Sequence, residues 1–461
     1  MKIRLTDPEE GVQIIKQDGS VIELTEITLR STRVQNVSAD TVNITTDIEP
    51  GQIETVIYKN VGARDYLLSV DSSYITADGN EIRISCPVSG YCEINYIKIS
   101  NNETYARLIY GEEYKASYFT FVAKGDGSYS FTKALSYSQN NGETWTEVAA
   151  NTSISTTNGS ETLFKAELTP VSQGGIGSFS STVDFDAKGN IMSLLYGDDF
   201  LGQTDLTGKN YCFYNLFKNN THLISVESLE LPATTLSNYC YQLMFSGCTS
   251  LINAPVLPAT TLTEYCYGSM FFGCTSLVTP PVLPATTLAR GCYQNLFRSC
   301  TGLTTPPALP ATTLANDCYQ RTFHGCTSLA TAPELPATDL YYNCYGQMFY
   351  GCTSLEIAPE LPATTVTQDC YGQMFMNCTN LSTAPELPAT TLATRCYAEM
   401  FNNCNNISYI KALFETTPGS DYTNNWVRNV SSSGTFVKSA NATWDVRGNN
   451  GVPNNWTIET E

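Results

Sequence analysis

The sequence predicts a multidomain chain: N-terminal β-rich, β-sandwich-like domains followed by a leucine-rich-repeat solenoid of 26-residue α/β coils. Three observations carry this expectation. The chain has 461 residues, enough for roughly three domains. Only 15% of them are charged, against about 25% in an ordinary soluble domain; Thr, Asn, Ser, Gly and Tyr take their place, as in β-rich and repeat architectures. Finally, LPATTL or a close variant begins at Leu231, Leu257, Leu283, Leu309, Leu335, Leu361 and Leu387, always 26 residues apart. A strict period of this length marks a solenoid of the leucine-rich class, in which each coil buries its apolar face against its neighbours.

Residues 1–112 read as short β-runs, among them Thr41-Val-Asn-Ile-Thr and Glu81-Ile-Arg-Ile-Ser, punctuated by turn signals at Asp18-Gly19 and Asp78-Gly79. They are assigned as an anchoring domain by elimination. Residues 113–200 form a second β-rich, Ig-like stretch with turn signals at Asp126-Gly127 and Asn141-Gly142. Its run Ser138-Gln-Asn-Asn-Gly-Glu-Thr-Trp145 resembles the Asp-box hairpin of sialidases, with Asn140 where the Asp belongs; that motif is a structural turn and carries no argument for glycosidase activity. The run Gly174-Gly-Ile-Gly-Ser178 is too short, and in the wrong context, for a nucleotide loop.

Residues 201–410 are the expected solenoid, opened by an imperfect capping repeat, YCFYNLFKNNTHL from Tyr211, with Asn220 where a second Cys would fall. Within one coil Leu262, Cys266, Met270 and Cys274 are spaced by four, which predicts one face of a helix. Gly273 then stands where a left-handed C-terminal residue is needed. The two prolines per coil remove ladder donors, so short strands or polyproline-like segments are expected between helices. Residues 411–461 lose the period. Trp426, Phe436, Trp444 and Trp456 are expected to cover the open end of the last coil, the other reading of the tryptophans being a sugar-stacking surface.

The chain has 17 cysteines and only 2 histidines. That count argues against histidine-dependent catalysis and His-rich metal sites. Seven cysteine pairs, from Cys240/Cys248 to Cys396/Cys404, keep step with the repeat and are expected to be small apolar core residues stacked coil on coil. CxxC clustering of the kind a metal site needs is missing, so no metal and no cofactor is expected. Cys86 and Cys92 bracket a short loop and could bridge in an oxidising setting; free reduced thiols suit a protein folded in a cytoplasm. With 25 basic and 44 acidic residues the formal charge is −19, which disfavours a broad grip on nucleic acid or an anionic membrane. No run approaches ~18 consecutive apolar residues. The N-terminus, MKIRLTDPEEGVQII, has no apolar stretch of signal-peptide length, so export by the standard route is not expected.

The unit MFxGCTSL…LPATTL resembles the BspA-type leucine-rich repeat, in which an AFxGCxSL element precedes an IPxxV element. The resemblance extends over roughly residues 185–461, including Gly189-Asn-Ile-Met-Ser-Leu-Leu-Tyr-Gly-Asp before the repeats and Ser433-Gly-Thr-Phe with Asn449-Asn-Gly-Val-Pro after them. Such repeats occur in surface proteins of Bacteroidetes and in virion proteins of their phages, crAss-like phages included. The resemblance implies adhesion or recognition and brings no catalytic residues, so the chain is expected not to be an enzyme.

Two outward columns are the candidate ligand-binding surface. The residue after the repeated Phe reads Ser246, Phe272, Arg298, His324, Tyr350, Met376, Asn402; a neighbouring column reads Tyr239, Tyr265, Gly291, Asp317, Asn343, Asp369, Arg395. Aromatic, Met and Arg side chains facing outward have the composition of binding hot spots, which singles out Tyr239, Tyr265, Phe272, Arg298, Tyr350 and Met376. The alternative is a solvated face whose residues have drifted. A third column stacks Glu334, Glu360 and Glu386, read as solvated. The expected function is that of a phage virion protein (head fibre, decoration or tail-associated), anchored to capsid or tail proteins through its N-terminal part and binding a host surface protein or glycan through the repeats. The alternative is a bacterial cell-surface adhesin. A trimer would be usual for a fibre, but no heptad or collagen repeat specifies one.

Overall fold

The structure is a computed structural model that describes residues 118–171 and 174–461 in full and, between Lys2 and Ile109, the backbone of eleven strands. The chain divides into two compact units, Met1–Ser117 and Tyr118–Glu461. Both are β-rich. Among the described residues the one α-helix is the single turn Ser193–Tyr196.

In the first unit the alternating runs form strands. Lys2–Leu5, Val12–Ile15 and Val21–Leu24 make an antiparallel three-stranded sheet. Gln52–Asn60 is central to a five-stranded sheet, pairing antiparallel with Tyr91–Ser100 and parallel with Thr28–Leu29 and Arg33–Val37. Thr41–Ile44 and Glu81–Cys86 flank Arg64–Val70 in a third sheet. The turns at Asp18-Gly19 and Asp78-Gly79, and the side chains of Cys86 and Cys92, lie outside the described residues.

The second unit begins with two sheets facing each other across an aromatic core. Phe119–Ala123 sits centrally, with Glu161–Lys165 on one side and Phe185–Asn190 on the other. Gly127–Phe131 is the middle strand of the facing sheet, between Ile154–Thr156 and Phe179–Ser181. The period-2 alternation turns Phe119 and Phe121 inward. The Phe121 ring meets Tyr129 at 5.0 Å and Phe179 at 4.9 Å from across the core. Burial of each such ring contributes about 2–3 kcal/mol. Phe185–Asn190 also pairs in parallel with Leu223–Ser225 and Leu229–Glu230, which ties this region to the first repeat.

The expected helix in each coil does not form, so the coils are not α/β. Residues spaced by four instead mark a ribbon of consecutive turns. Tyr265, Ser269 and Gly273 all have left-handed φ, at 52°, 55° and 74°. The N–H groups of Gly268, Met270, Phe272 and Cys274 each donate three residues back, to Tyr265, Tyr267, Ser269 and Phe271. The intervening N–H groups of Tyr265, Tyr267, Ser269, Phe271 and Gly273 donate instead to carbonyls 25 residues on, in the next repeat, at 2.7–3.2 Å. About half the donors stay in the coil and half leave it, so every N–H of the ribbon finds an acceptor. An α-helix would keep them all. The backbone turns two residues in and two out. Cys266/Tyr267 and Met270/Phe271 are buried, and between them lie Gly268/Ser269. A four-residue rhythm therefore arises without a helix.

Successive repeats lie side by side in register. Tyr241 to Tyr397 form one stack with ring centroids 5.7–6.1 Å apart. Phe245 to Phe401 form another at 5.5–5.8 Å, within the favourable offset range. Between ribbons the chain is extended and prolines limit pairing to isolated parallel bridges such as Thr261↔Thr287 and Thr287↔Thr313.

Both ends of the stack are capped. At the start, Ile176 and Phe179 donate backbone N–H groups to Cys212 and Leu216. A Cβ on Gly175 would stand 2.7 Å from the Tyr214 carbonyl oxygen, so glycine permits that close approach. At the end, residues 421–428 form one more ribbon that accepts from Arg395, Tyr397, Glu399, Phe401 and Asn403. The backbone period thus persists past Cys404, where the side-chain pattern has faded. Trp426, Trp444 and Trp456 are at most 5% exposed, and their indole N–H groups donate to Gly451, Phe414 and Ser431 carbonyls. Their burial overturns the sugar-stacking reading. Behind them Tyr409–Ala412, Thr435–Lys438 and Thr457–Thr460 pair in parallel.

Candidate functional site

The ribbon has an inner face that is core and an outer face that carries the candidate residues. Tyr239, Tyr265, Phe272, Arg298, Tyr350 and Met376 are all half-buried there. The two columns run along opposite margins of the ribbon, with two middle columns between them; they are not gathered into one site.

Along the first margin Tyr211, Tyr239 and Tyr265 form a parallel stack at 4.6 and 5.2 Å. Burial and the nearby Glu264 carboxylate push the Tyr239 hydroxyl above its ordinary pKa. The Tyr265 ring lies against the next layer, where a Cβ on Gly291 would stand 2.2 Å from its Cε1, and the Arg290 guanidinium lies 5.9 Å from the ring centroid. The column then turns polar: Asn343 donates to Asp317 at 2.9 Å, and Arg395 pairs with Asp369 at 2.9 Å.

Along the second margin the Arg298 guanidinium lies 5.4 Å from the Phe272 ring centroid, a cation–π contact. His324 stacks on Tyr350 at 4.4 Å with planes 1° apart. Burial, with Arg298 and Arg321 close by, pushes the His324 imidazole down to about 4. This histidine is neutral at pH 7 and part of the aromatic ladder. Glu334, Glu360 and Glu386 are exposed; Glu386 pairs with Lys411 at 3.2 Å.

The cysteines are core. All fifteen described cysteines are buried and unbridged. Burial pushes Cys266, Cys396 and Cys404 up to about 12, which keeps them protonated and poor nucleophiles. Among the described residues no group of His, Cys, Asp and Glu is placed to hold a metal ion, and no helix is long and apolar enough to cross a membrane. The Asp-box-like segment is a structural turn. Asn140 Oδ1 accepts from Thr144 N–H at 3.0 Å, and Gly142 N–H donates to Ser138 Oγ at 2.9 Å.

Sequence reasoning passed over the two columns between the margins: in the first Gln294 donates to Gln320, and in the second Arg321 donates to Gln347 and Gln373 to Glu399. Reading the positions two and three residues after each first cysteine, again at steps of 26, would have found these polar partners. The chain matches no protein-family model, no curated protein and no solved structure.

Proposed function

We propose that the chain is a non-enzymatic structural and recognition protein of a phage particle: a head fibre, decoration or tail-associated protein. Residues 1–112 anchor it to capsid or tail proteins. The 26-residue layers form a solenoid of the BspA-like leucine-rich-repeat type and project to bind a host surface protein or glycan. The carrying observation is the outer margin itself: half-buried aromatic, Arg and Met side chains held in register layer after layer by an inter-layer hydrogen-bond ladder. A scaffold of this kind supplies an extended recognition surface. The unbridged, sealed thiols suit folding in a reducing compartment.

Mass spectrometry of purified virions tests the assignment; the chain should co-purify with the particles. Finding it on the bacterial envelope and not in particles would replace this reading with that of a cell-surface adhesin. Deletion of residues 1–112 should abolish incorporation, and continued incorporation would sink the anchor assignment. Replacing Phe272, Arg298 and Tyr350 together with Ala should weaken attachment without unfolding the stack. Unchanged attachment would reject that margin as the contact.

A further inference from the structure

The first of the two middle columns, two residues after each first cysteine, changes size along the stack: Gln242, Gly268, Gln294, Gln320, Gly346, Gly372, Ala398. Where the last three fall, the outer face sinks into a groove of about 400 Å³ with Gly372 and Ala398 in its lining, a size usual for small-ligand sites. One wall carries Asn343, Asp369 and Arg395, the other Gln347, Gln373 and Glu399. Tyr342, 44% exposed, also lines it.

We propose that this groove binds a neutral oligosaccharide. Apart from the Tyr342 ring its side chains are amide, carboxylate, guanidinium and the Ser420 hydroxyl, with Ala398 as the one aliphatic side chain, so it does not suit an apolar ligand. A bound anion would face Asp369 and Glu399. A bare cation would compete with partners already in place, since Asp369 takes Arg395 at 2.9 Å and Glu399 takes Gln373. What remains is a surface of alternating donors and acceptors with little net charge. Gln347 spends its Oε1 on Arg321, and its amide nitrogen has no hydrogen-bond partner among the described residues. The Glu399 Oε1 is likewise without one. Vicinal hydroxyls, each both donor and acceptor, satisfy such groups in pairs. The Tyr342 ring offers an apolar face with a polar edge, the complement of a pyranose ring. Successive layers, about 4.8 Å apart as adjacent strands are, present the same positions at each step, which suits a polymer that repeats its own hydroxyls.

The inference deepens the recognition proposed above and rests on it only for the source of the glycan. The test is isothermal titration of the full chain with cellohexaose, xylohexaose, mannohexaose and chitohexaose, with an oligogalacturonate as the acidic control. Gly372→Gln refills the groove with the side chain that positions 242, 294 and 320 already carry, and Gly372 is not among the residues with positive φ. At least one neutral oligosaccharide should bind saturably. Gly372→Gln should weaken it about tenfold or more, as expected when several hydrogen bonds are blocked, and the Phe272/Arg298/Tyr350 triple-Ala chain should bind as before. If Gly372→Gln fails to fold, Glu399→Gln, which keeps the side-chain shape, should give the weakening. No binding by any neutral member, tighter binding of the acidic control, or undiminished binding by the folded groove variants would overturn the proposal. Particle attachment is scored separately and bears on the margin residues alone.

Discussion

The Sγ of Cys274 lies 3.1 Å from the carbonyl oxygen of Phe245, one layer earlier in the chain. The same contact recurs from Cys248 to Phe217 and onward to Cys404 and Phe375, at 2.9–3.1 Å. Each of these carbonyls also accepts a backbone N–H, so the thiol fills a second lone pair. Cys300→Ala removes both that weak bond and a buried sulfur. It should lower stability by about 1–2 kcal/mol, read from the urea midpoint.

The sealed cysteines should resist thiol reagents. The thiolate is the reactive form, and burial both blocks access and raises the pKa. In native buffer a thiol-titrating reagent should find at most the two cysteines outside the described residues, Cys86 and Cys92; in denaturant it should find all 17. Rapid native titration of more than two would show that the columns open.

Ser269→Gly separates the turn ribbon from a helix by sign. In a helix interior the change would cost about 0.5 kcal/mol. In the ribbon Ser269 stands at φ 55°, where a side chain costs about 1–2 kcal/mol, so glycine should be neutral or stabilising in thermal melts. Far-ultraviolet circular dichroism should show correspondingly little helix.

His324 gives a defined acid dependence. Its folded pKa is depressed to about 4 from an ordinary value of about 6.5. Above about pH 6.5 both states are neutral and the group contributes nothing. As pH falls from there towards 4 the unfolded chain takes up a proton that the folded one refuses, so stability declines, and it levels off below about 4. His324→Gln should remove this part of the pH profile of the denaturation midpoint.

Tyr319 buries a hydroxyl that has no hydrogen-bond partner among the described residues. The first repeat carries Phe213 at the same place, stacked on Tyr241 at 5.4 Å. Tyr319→Phe should therefore hold or raise stability, by about 1 kcal/mol. A clear loss in calorimetry would reveal a partner for that oxygen.

The repeat length, the buried cysteine columns and the half-buried outward residues were all legible in the sequence, because they follow from which side chains recur. The helix was a misreading of a true spacing. Cys266, Met270 and Cys274 do share a side, but so they would on any backbone that turns every four residues. The contrary signal was present. Gly273 resembles a helix end, yet four and eight residues before the equivalent positions Ser299, Gly325 and Gly351 stand Asn295, Gly291, Asp317 and Asn343, equally suited to left-handed φ. A helix ends on one such residue and does not carry three at spacing four. The same logic reveals the hidden repeat in the tail: Asn425 and Asn429 have φ of 50° and 60°, and Asn429, Asn403 and Asn377 form an amide ladder with 2.7 Å bonds. The groove was not legible by residue type, since it is made by the side chains that Gly372 and Ala398 lack.

The inter-layer bonds of the ribbon all point one way: N–H groups of each layer donate to the layer that follows it in the chain. Every interior layer therefore offers the same acceptors upstream and the same donors downstream, and the loop at Ile176–Phe179 and the ribbon at 421–428 terminate the two polarities. A whole unit of 26 residues can be spliced in or out with both ends still matched. Such a chain is a ruler that is lengthened or shortened by duplication or loss of one segment, with its terminators untouched.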